Sequence, residues 1–556
     1  MAIIGIDLGT TNCLAAVYAE DQIRIIRNSL GNVLTPSVVG IAEDGSILCG
    51  DIARERLITN PELTVSEFKR TMGTDHVYKL GLEAYSSQQL SSIMLRKIVS
   101  DAESFLGEKI EEAVISVPAY FDDKMRTATK QAAELAGIKC ERLINEPSAA
   151  ALAYLYKHGW KDGTYMVVDF GGGTLDVSVI DSFDGVMEII AVAGNNRLGG
   201  KDINEAIYKY FCQTNGINEA ELSLEEKAAI YRMSEASKIA LSSNPIAVMT
   251  VVLDDQEYSL TLDNNMLIKI AHEVFEKLYA PIKKVLKDSR LSPDDLEAIV
   301  LVGGSCKMPT VAAYIEQVTG SRPCTDIDPD TAVCVGAGIF SGKKAKNEQL
   351  KDIVMTDICP FSLGVKSHDC NDEAVMSFII ERNSMLPCSN ERSYYAYHEQ
   401  QTKVEFNVYQ GESIIPENNT FLGNLSIDCP PTPKGEFIAN VRMTYDINGI
   451  LIIDITNKDL VTVTKTLIGN NIRLSDKEKE RIKARLDKLR FDRDKDEEQE
   501  FLVSRAERII EETLSFERQA VIDALTSFKA VMQNGNSIQK RKAKESFSEL
   551  LDRLDS

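Results

Sequence analysis

Val168-Asp169-Phe170-Gly171-Gly172-Gly173-Thr174-Leu175-Asp176 is the stretch on which the reading of this chain turns. The apolar run Met166-Val167-Val168 ends on an aspartate, the chain turns on glycine, and an apolar run resumes. Glycines let backbone N–H groups approach an anion closely, and a threonine hydroxyl adds a donor. The aspartate suits a hydrated magnesium ion. Near the N-terminus, Gly5-Ile6-Asp7-Leu8-Gly9-Thr10-Thr11-Asn12 repeats the arrangement. Either turn alone reads first as a plain glycine hairpin. Two of them, each behind a strand pattern, would clamp a polyphosphate from both sides. No GxxxxGK[ST] occurs, so the chain is not read as a P-loop protein.

Working outward, Ile3-Ile4-Gly5-Ile6, Ala113-Val114-Ile115-Ser116-Val117 and Ile299-Val300-Leu301-Val302 are further β-branched runs suited to buried strands. Helix patterns alternate with them. Asp123 to Gly137 is the clearest: Asp122 or Asp123 caps it, Met125, Ala128, Ala132 and Leu135 share a face, and Gly137 ends it. Residues 1–348 therefore read as an α/β body. Residues 343–357 turn lysine-rich and polar before Ile353-Val354-Met355, which places a linker at 349–357. Residues 358–468 alternate as strands do, with Val404, Phe406 and Val408 against Lys403, Glu405 and Asn407. There Asn448-Gly449 signals a hairpin, while Pro430-Pro431 and Pro433 mark a loop. This zone reads as an all-β sandwich. Residues 469–556 read as surface helices of mixed charge. Ser475 opens them with Asp476 and Glu478 in the first turn, Ile482, Leu486 and Leu489 form a narrow apolar seam, and Gly535 breaks the pattern once.

The 556 residues carry 84 acidic and 62 basic side chains, a net charge of −22. A field of that sign repels phosphate backbones and anionic lipid, so neither nucleic acid nor a membrane surface is expected as a partner. No run approaches the ~20 apolar residues of a membrane span. The N-terminus lacks the basic and apolar regions of a secretory signal. Eleven cysteines without a CxxC read as reduced thiols in a cytoplasm. Five histidines without an HExxH make an imidazole metal site improbable.

Three further features have two readings each. Gly303-Gly304, after the strand Ile299–Val302, is an ordinary βα loop or a place for a base or ribose to lie on backbone. Glu146, before Pro147, complements a helix dipole or orients a water. Lys69 is by default a surface lysine.

Taken together, Gly5–Asn12, Val117-Pro118-Ala119-Tyr120-Phe121, Ile144-Asn145-Glu146-Pro147-Ser148-Ala149-Ala150-Ala151, Asp169–Asp176, Arg197-Leu198-Gly199-Gly200-Lys201-Asp202 and Leu301–Pro309 resemble the DnaK-type members of the heat shock protein 70 chaperone family. Order and spacing match along nearly the whole chain, most weakly at its end. Shortness and motif variants look most like the HscC-type bacterial paralogue. The resemblance implies an actin-like ATPase body of duplicated ribonuclease H-like subdomains, four in all, then a β-sandwich peptide-binding domain and a short helical lid. It implies ATP or ADP with Mg2+, and K+, as cofactors.

By the same resemblance, Asp7, Gly9, Thr10, Thr11, Asn12, Gly171, Gly172, Gly173, Thr174, Gly199 and Gly200 would surround the phosphates. Asp7 and Asp169 would hold magnesium mainly through water. Lys69, Glu146, Thr174, Asp169 and Asp176 would carry the hydrolysis. Glu235, Lys238, Ser242, Gly303, Gly304, Ser305 and Asp330 would line the adenosine. Pro118 and Arg126 match positions that relay nucleotide state, and Arg142 and Asp357 match positions that meet a J-domain partner. Val365, Tyr394, Val404, Phe406 and Ile450 would line the peptide cleft, with His368 and Tyr397 as an arch. Plain sandwich core is the competing reading of the cleft residues.

Departures from the family pattern carry expectations of their own. His368 and Tyr397 stand where a methionine and an alanine are commoner. Thr356 stands where a third leucine is common, which should weaken docking between domains. Lys201 replaces an acid. Asn244 to Leu262 is short and lacks the loop linked to a GrpE-type exchange factor, which puts dependence on such a factor in doubt. The expectation is an ATP-driven chaperone for extended apolar polypeptide segments. The rivals are a small-molecule kinase of the same ATPase superfamily and an actin-like filament protein, neither of which needs the C-terminal β and helical zones.

Overall fold

The computed structural model describes residues 2–42, 44–253, 256–369, 372–466, 475–488, 496–513 and 515–555. The two glycine turns lie in two sheets of one topology. In the first, Ala2–Leu8 pairs parallel with Ile110–Val117 and antiparallel with Asn12–Ala19, which pairs antiparallel with Gln22–Ile26. In the second, Gly163–Phe170 pairs parallel with Ala298–Val302 and antiparallel with Leu175–Phe183, which pairs antiparallel with Val186–Asn195. The repeat makes Gly9–Thr11 and Gly171–Thr174 equivalent hairpin turns of a duplicated unit. Ile4, Ile6, Val114, Ile115, Val167, Val168 and Val300 are fully buried, which is why these strands read as unbroken apolar runs.

Between the sheets the helices Glu146–Lys157 and Ala332–Lys344 cross. A Cβ on Gly336 would lie 1.8 Å from the carbonyl oxygen of Ala149, so only glycine permits this approach. Ala149, Ala150 and Ala151 on one helix and Ala337 on the other pack into the same core. The small residues thereby fix how the two halves meet. Smaller lobes flank the mouth between the halves. One holds the sheet of Val38–Ile41, Ile47–Cys49 and Thr64–Ser66 with the helices Asp51–Thr59 and Ser87–Leu106. The other holds the hairpin Ile246–Leu253/Gln256–Asp263 with the helix Leu224–Ala240, while His272–Ser289 packs on the second sheet. Helix Asp123–Ala136 forms as expected, with Asp122 accepting from the Met125 N–H and Gly137 ending it.

Two four-stranded antiparallel sheets follow. One orders Ala374–Ile380, Leu363–His368, Gln401–Gln410 and Thr420–Thr432; the other Cys388–Tyr395, Phe437–Tyr445, Leu451–Asn457 and Thr462–Thr466. Their inner faces share one core. Asn448-Gly449 makes the expected turn between Tyr445 and Leu451. Pro430 and Pro431, expected in a loop, instead end the strand Thr420–Thr432. The register there slips between Gln401 and Lys403, so residues without an N–H fall where the ladder is interrupted.

The linker is not a free tether. Val354–Thr356 adds to the second sheet as an edge strand, parallel to Val186–Glu188. The C-terminal helices are Asp476–Lys488, Glu497–Glu512, Ser515–Asn534 and Ser537–Leu554. Gly535 separates the last two, but the pattern also breaks at Thr513, which ends its helix in extended backbone. Leu489, expected in the seam, lies outside the described residues, while Leu486 is buried in the core of the first half and Ile482 packs against it. These helices rest on the two-sheet body: Glu497–Glu512 packs along Asp51–Thr59, and the Lys97 Nζ stands 2.8 Å from Glu497.

Candidate nucleotide site and its connections

The equivalent turns face one another across a cavity of about 770 Å³. Asp7, Gly9, Thr10, Thr11 and Asn12 line one wall, and Asp169, Gly171, Gly172 and Thr174 the other. Lys69 and Glu146 close the floor; Glu235, Lys238, Ser242, Gly303, Gly304, Ser305 and Asp330 line the remainder. Gly303 sits at φ +83°, and a Cβ there would come within 2.6 Å of the Phe170 oxygen, so the strand-to-loop passage requires glycine. A Cβ on Gly172 would stand 1.8 Å from the Thr11 hydroxyl. The turns are thus packed directly on each other.

Four expected residues stand behind the wall. Gly199 lies against Gly172, Gly200 accepts from Lys238 Nζ at 3.2 Å, and Gly173 lies against Thr10 and Arg70. Asp176 is buried; one oxygen accepts from the Tyr120 N–H at 3.2 Å, and the other has no partner among the described residues.

Lys69 is a buried residue, not a surface one. Its Nζ lies 2.7 Å from Glu146 Oε1. Glu146 opens its helix with Pro147 second, so the dipole reading holds locally while the carboxylate points at a lysine in the pocket. Around this pair the carboxyls are held high. Burial, then repulsion from Glu146, raises Asp7 to about 6. The same two causes raise Asp176 to about 7 and lift Asp169 well above the usual range. Burial works against the Lys69 ammonium, but Glu146 and Asp7 outweigh it and hold it charged. Burial lowers Lys238 to about 8.

A pocket that sets Asp7 and Asp169 on opposite walls suits a divalent cation that arrives with its own ligands. Among the described residues no three His, Cys, Asp or Glu side chains are placed to hold an ion by themselves. That agrees with Mg2+ kept hydrated and shared with phosphate. The unpartnered oxygens of Asp176 and Thr11 point the same way. Sequence reasoning left out Ser116, whose hydroxyl donates to Asp7 at 2.6 Å, and Arg70, which reaches Asp202 at 2.8 Å. It noted Lys201 only as a departure; the side chain lines the pocket and pairs with Glu67 at 2.8 Å.

Behind the pocket, a set of hydrogen bonds leads to the sandwich. Arg126 donates to the oxygens of Ala119 and Phe121, either side of Tyr120, and to Asn145 beside Glu146. Pro118 accepts from the Phe121 N–H. Ser148 donates to Asp357 at 2.7 Å, and Asp357 accepts from the Leu386 N–H through its backbone. Arg142 donates to the Ile447 oxygen, and the Leu143 N–H to Asn448 at 3.2 Å. Asp123, whose carboxyl burial holds well up, accepts from the Leu451 N–H.

In the sandwich, Val365 and Phe406 are buried, and Tyr394 and Val404 pack against the same core. The rings of Tyr394 and Phe406 meet edge-on at 5.0 Å. Ile450 is not brought to them. It stands in the turn before Leu451, where its N–H donates to Asp446, beside the contacts with the body. The even alternation of these strands concealed that their hairpin tip is a docking surface. His368 and Tyr397 stack at 4.7 Å, with Lys434 over the Tyr397 ring and Asp372 accepting from its hydroxyl.

A duplicated two-sheet body that closes glycine–threonine turns over a carboxylate-rich pocket, with a β-sandwich and helices appended, defines a nucleotide-driven peptide-binding ATPase. The Hsp70 protein family model matches residues 3–555, and the chain belongs to that family. It is similar to the chaperone protein DnaK of Thermotoga neapolitana, with 36% identity over 472 residues that cover 82% of this chain and 78% of that protein. The chain is an ATP-dependent molecular chaperone and an ATPase, and family members use ATP and ADP with Mg2+. A match that includes the sandwich and the C-terminal helices does not favour a small-molecule kinase. Among the described residues no helix is long and apolar enough to cross a membrane.

Proposed function

We propose that this chaperone hydrolyses ATP by positioning and charge neutralisation around the Lys69–Glu146 pair, and that the result governs a peptide cleft in the sandwich. The observation that carries the reading is that buried pair, set among three carboxyls and beneath two facing phosphate turns. Lys69 steadies the attacking water and the transferring phosphoryl group, and Glu146 accepts a hydrogen bond from that water. Thr174 and the backbone of Gly171–Gly173 hold the phosphates. Asp7 and Asp169 would hold magnesium through water, with Asp176 behind them, and the ion would supply charge neutralisation at the phosphates. K+ would add a second cation. Glu235, Lys238 and Ser242 face Gly303, Gly304, Ser305 and Asp330 across the adenosine.

The relay runs from Asp176 through Tyr120 to Arg126 and Asn145, and from the Glu146 helix through Ser148 to Asp357. Supporting it, these contacts join the pocket to the docked linker strand and to the Asp446–Leu451 turn. Arg142 and Asp357 would also meet a J-domain partner. Val365, Tyr394, Val404 and Phe406 receive an extended apolar segment under the His368–Tyr397 arch. A cytoplasmic setting and the HscC type complete the reading.

Coupling requires that ATP bind the docked and undocked states with different affinity. The test is the dissociation rate of a labelled apolar peptide from the full chain with ATP and with ADP. Faster release with ATP is expected, and equal rates overturn the coupling.

A further inference from the structure

The pocket opens between two helices on opposite lobes. Asp51–Thr59 contributes Asp51 and Arg54 to its wall, and Leu224–Ala240 contributes Glu235 and Lys238. Release of a nucleotide requires these helices to part. Asp51–Thr59 packs along Glu497–Glu512, and Arg232 on the second helix reaches Glu512 at the end of that same C-terminal helix and Asp555 just after Ser537–Leu554. Arg508, buried, pairs with Glu55 on the first helix, with Glu512 at 2.5 Å and with Asp555 at 2.6 Å. Glu512 and Asp555 then take Arg232, on the second helix, at 2.8 and 3.0 Å. Arg505 fastens the lid end itself, reaching Asp552 at 2.7 Å and Asp555 at 3.0 Å.

An ionic chain therefore crosses the mouth from Glu55 through Arg508, Glu512 and Asp555 to Arg232. Its two attachments are unequal. On the first lobe the lid also has an apolar seat, where Phe501 packs against Val38, Leu48, Ile52 and Ala53. Over the second lobe a cavity of about 1170 Å³ separates the lid from the strand Ile246–Leu253, with Arg232 in its wall. The lid reaches that lobe through the fork of Arg232, whose two arms meet two different carboxylates, beside a direct contact of Asp51–Thr59 with Leu224–Ala240. Although burial opposes it, hydrogen bonding and charge from Arg508 hold the Asp555 carboxyl down to about 2, so it stays ionised at working pH.

We propose that Arg232 is a positioning residue through which the lid straps the two lobes together over bound nucleotide, so that nucleotide release is slow while the lid is docked on the body. The strap rests on the pocket assignment made above. It adds to the lid a role in retaining nucleotide, separate from any covering of the peptide cleft.

The test follows a fluorescent non-hydrolysable ATP analogue leaving the full chain when chased with unlabelled ATP. Losing one partner of a covered charge pair acts mainly on dissociation. Arg232→Glu is expected to speed release about fivefold or more with little change in association. Arg232→Lys, which keeps the charge but not the fork, should fall between that variant and the wild type. A wild-type release rate in Arg232→Glu overturns the strap, as does equal acceleration by Lys and Glu. A wild-type chain that does not bind the analogue overturns the pocket assignment, and the strap with it.

Discussion

Lys69 Nζ lies 2.7 Å from Glu146 Oε1, and both side chains are sealed from solvent. The ammonium offsets a carboxylate whose charge also raises Asp7, Asp169 and Asp176. Removing one member of such a pair leaves the other buried and uncompensated, at a cost of about 3–5 kcal/mol. Lys69→Ala is therefore expected to lower the melting temperature of the nucleotide-free protein and to cut hydrolysis about 100-fold or more. Lys69→Met with Glu146→Gln should be equally inactive yet melt higher than Lys69→Ala. Single-turnover hydrolysis and thermal melts check both. A double variant that melts no higher refutes the charge argument.

Lys238 titrates near 8 because burial disfavours its charge. A polyphosphate brought into the pocket restores the charged form, so its pKa rises on binding. The sign follows: above pH 8 nucleotide binding takes up a proton, and affinity falls as pH rises from 8 to 9. Titration calorimetry of ADP binding at pH 8.5, in two buffers of different ionisation enthalpy, should show net proton uptake. Lys238→Met should abolish it.

Thr356 pairs in the docked linker strand opposite Glu188, and its buried hydroxyl has no partner among the described residues. An unsatisfied buried hydroxyl costs about 1–3 kcal/mol. Thr356→Val, of the same shape, should favour the docked strand roughly tenfold. Hydrogen exchange at the amides of Val354–Thr356 is the readout. Unchanged protection would show that the hydroxyl is harmless.

The stack of His368 on Tyr397 at 4.7 Å bridges from Leu363–His368 to the loop after Cys388–Tyr395. An aromatic pair contributes about 0.5–1.5 kcal/mol beyond its buried area. Tyr397→Ala should therefore speed peptide dissociation in ADP several-fold, and His368→Met by less. Identical peptide dissociation rates in the wild type and Tyr397→Ala would remove the arch from the cleft.

Local patterns made much of this readable. The duplicated Asp7 and Asp169 turns, the helix capped at Asp122 and the Asn448-Gly449 hairpin are decided by residues a few positions apart. The fate of charged side chains is different. Nothing near Lys69 in sequence marks it as buried, because its partner Glu146 stands 77 residues away and is reached only in the folded body. Ile450 illustrates the converse: alternation shows that a strand residue faces inward or outward, but not which domain lies against its turn.

By itself the sequence determined the paired glycine turns, the alternation of α/β, β and helical patterns and, through its motifs, the family. Those follow from backbone conformation and hydrophobic period, which short segments carry alone. Only the tertiary structure decided that the linker is a strand, that Asp123 and Arg142 hold the sandwich, and that the lid lies on the body with Arg508 and Arg232 tied to it. Each of these depends on contacts between residues far apart in the chain. Ion pairs and edge-strand bonds at such surfaces form between side chains and amides that any exposed segment could offer, so their partners are chosen by how the folded domains fit.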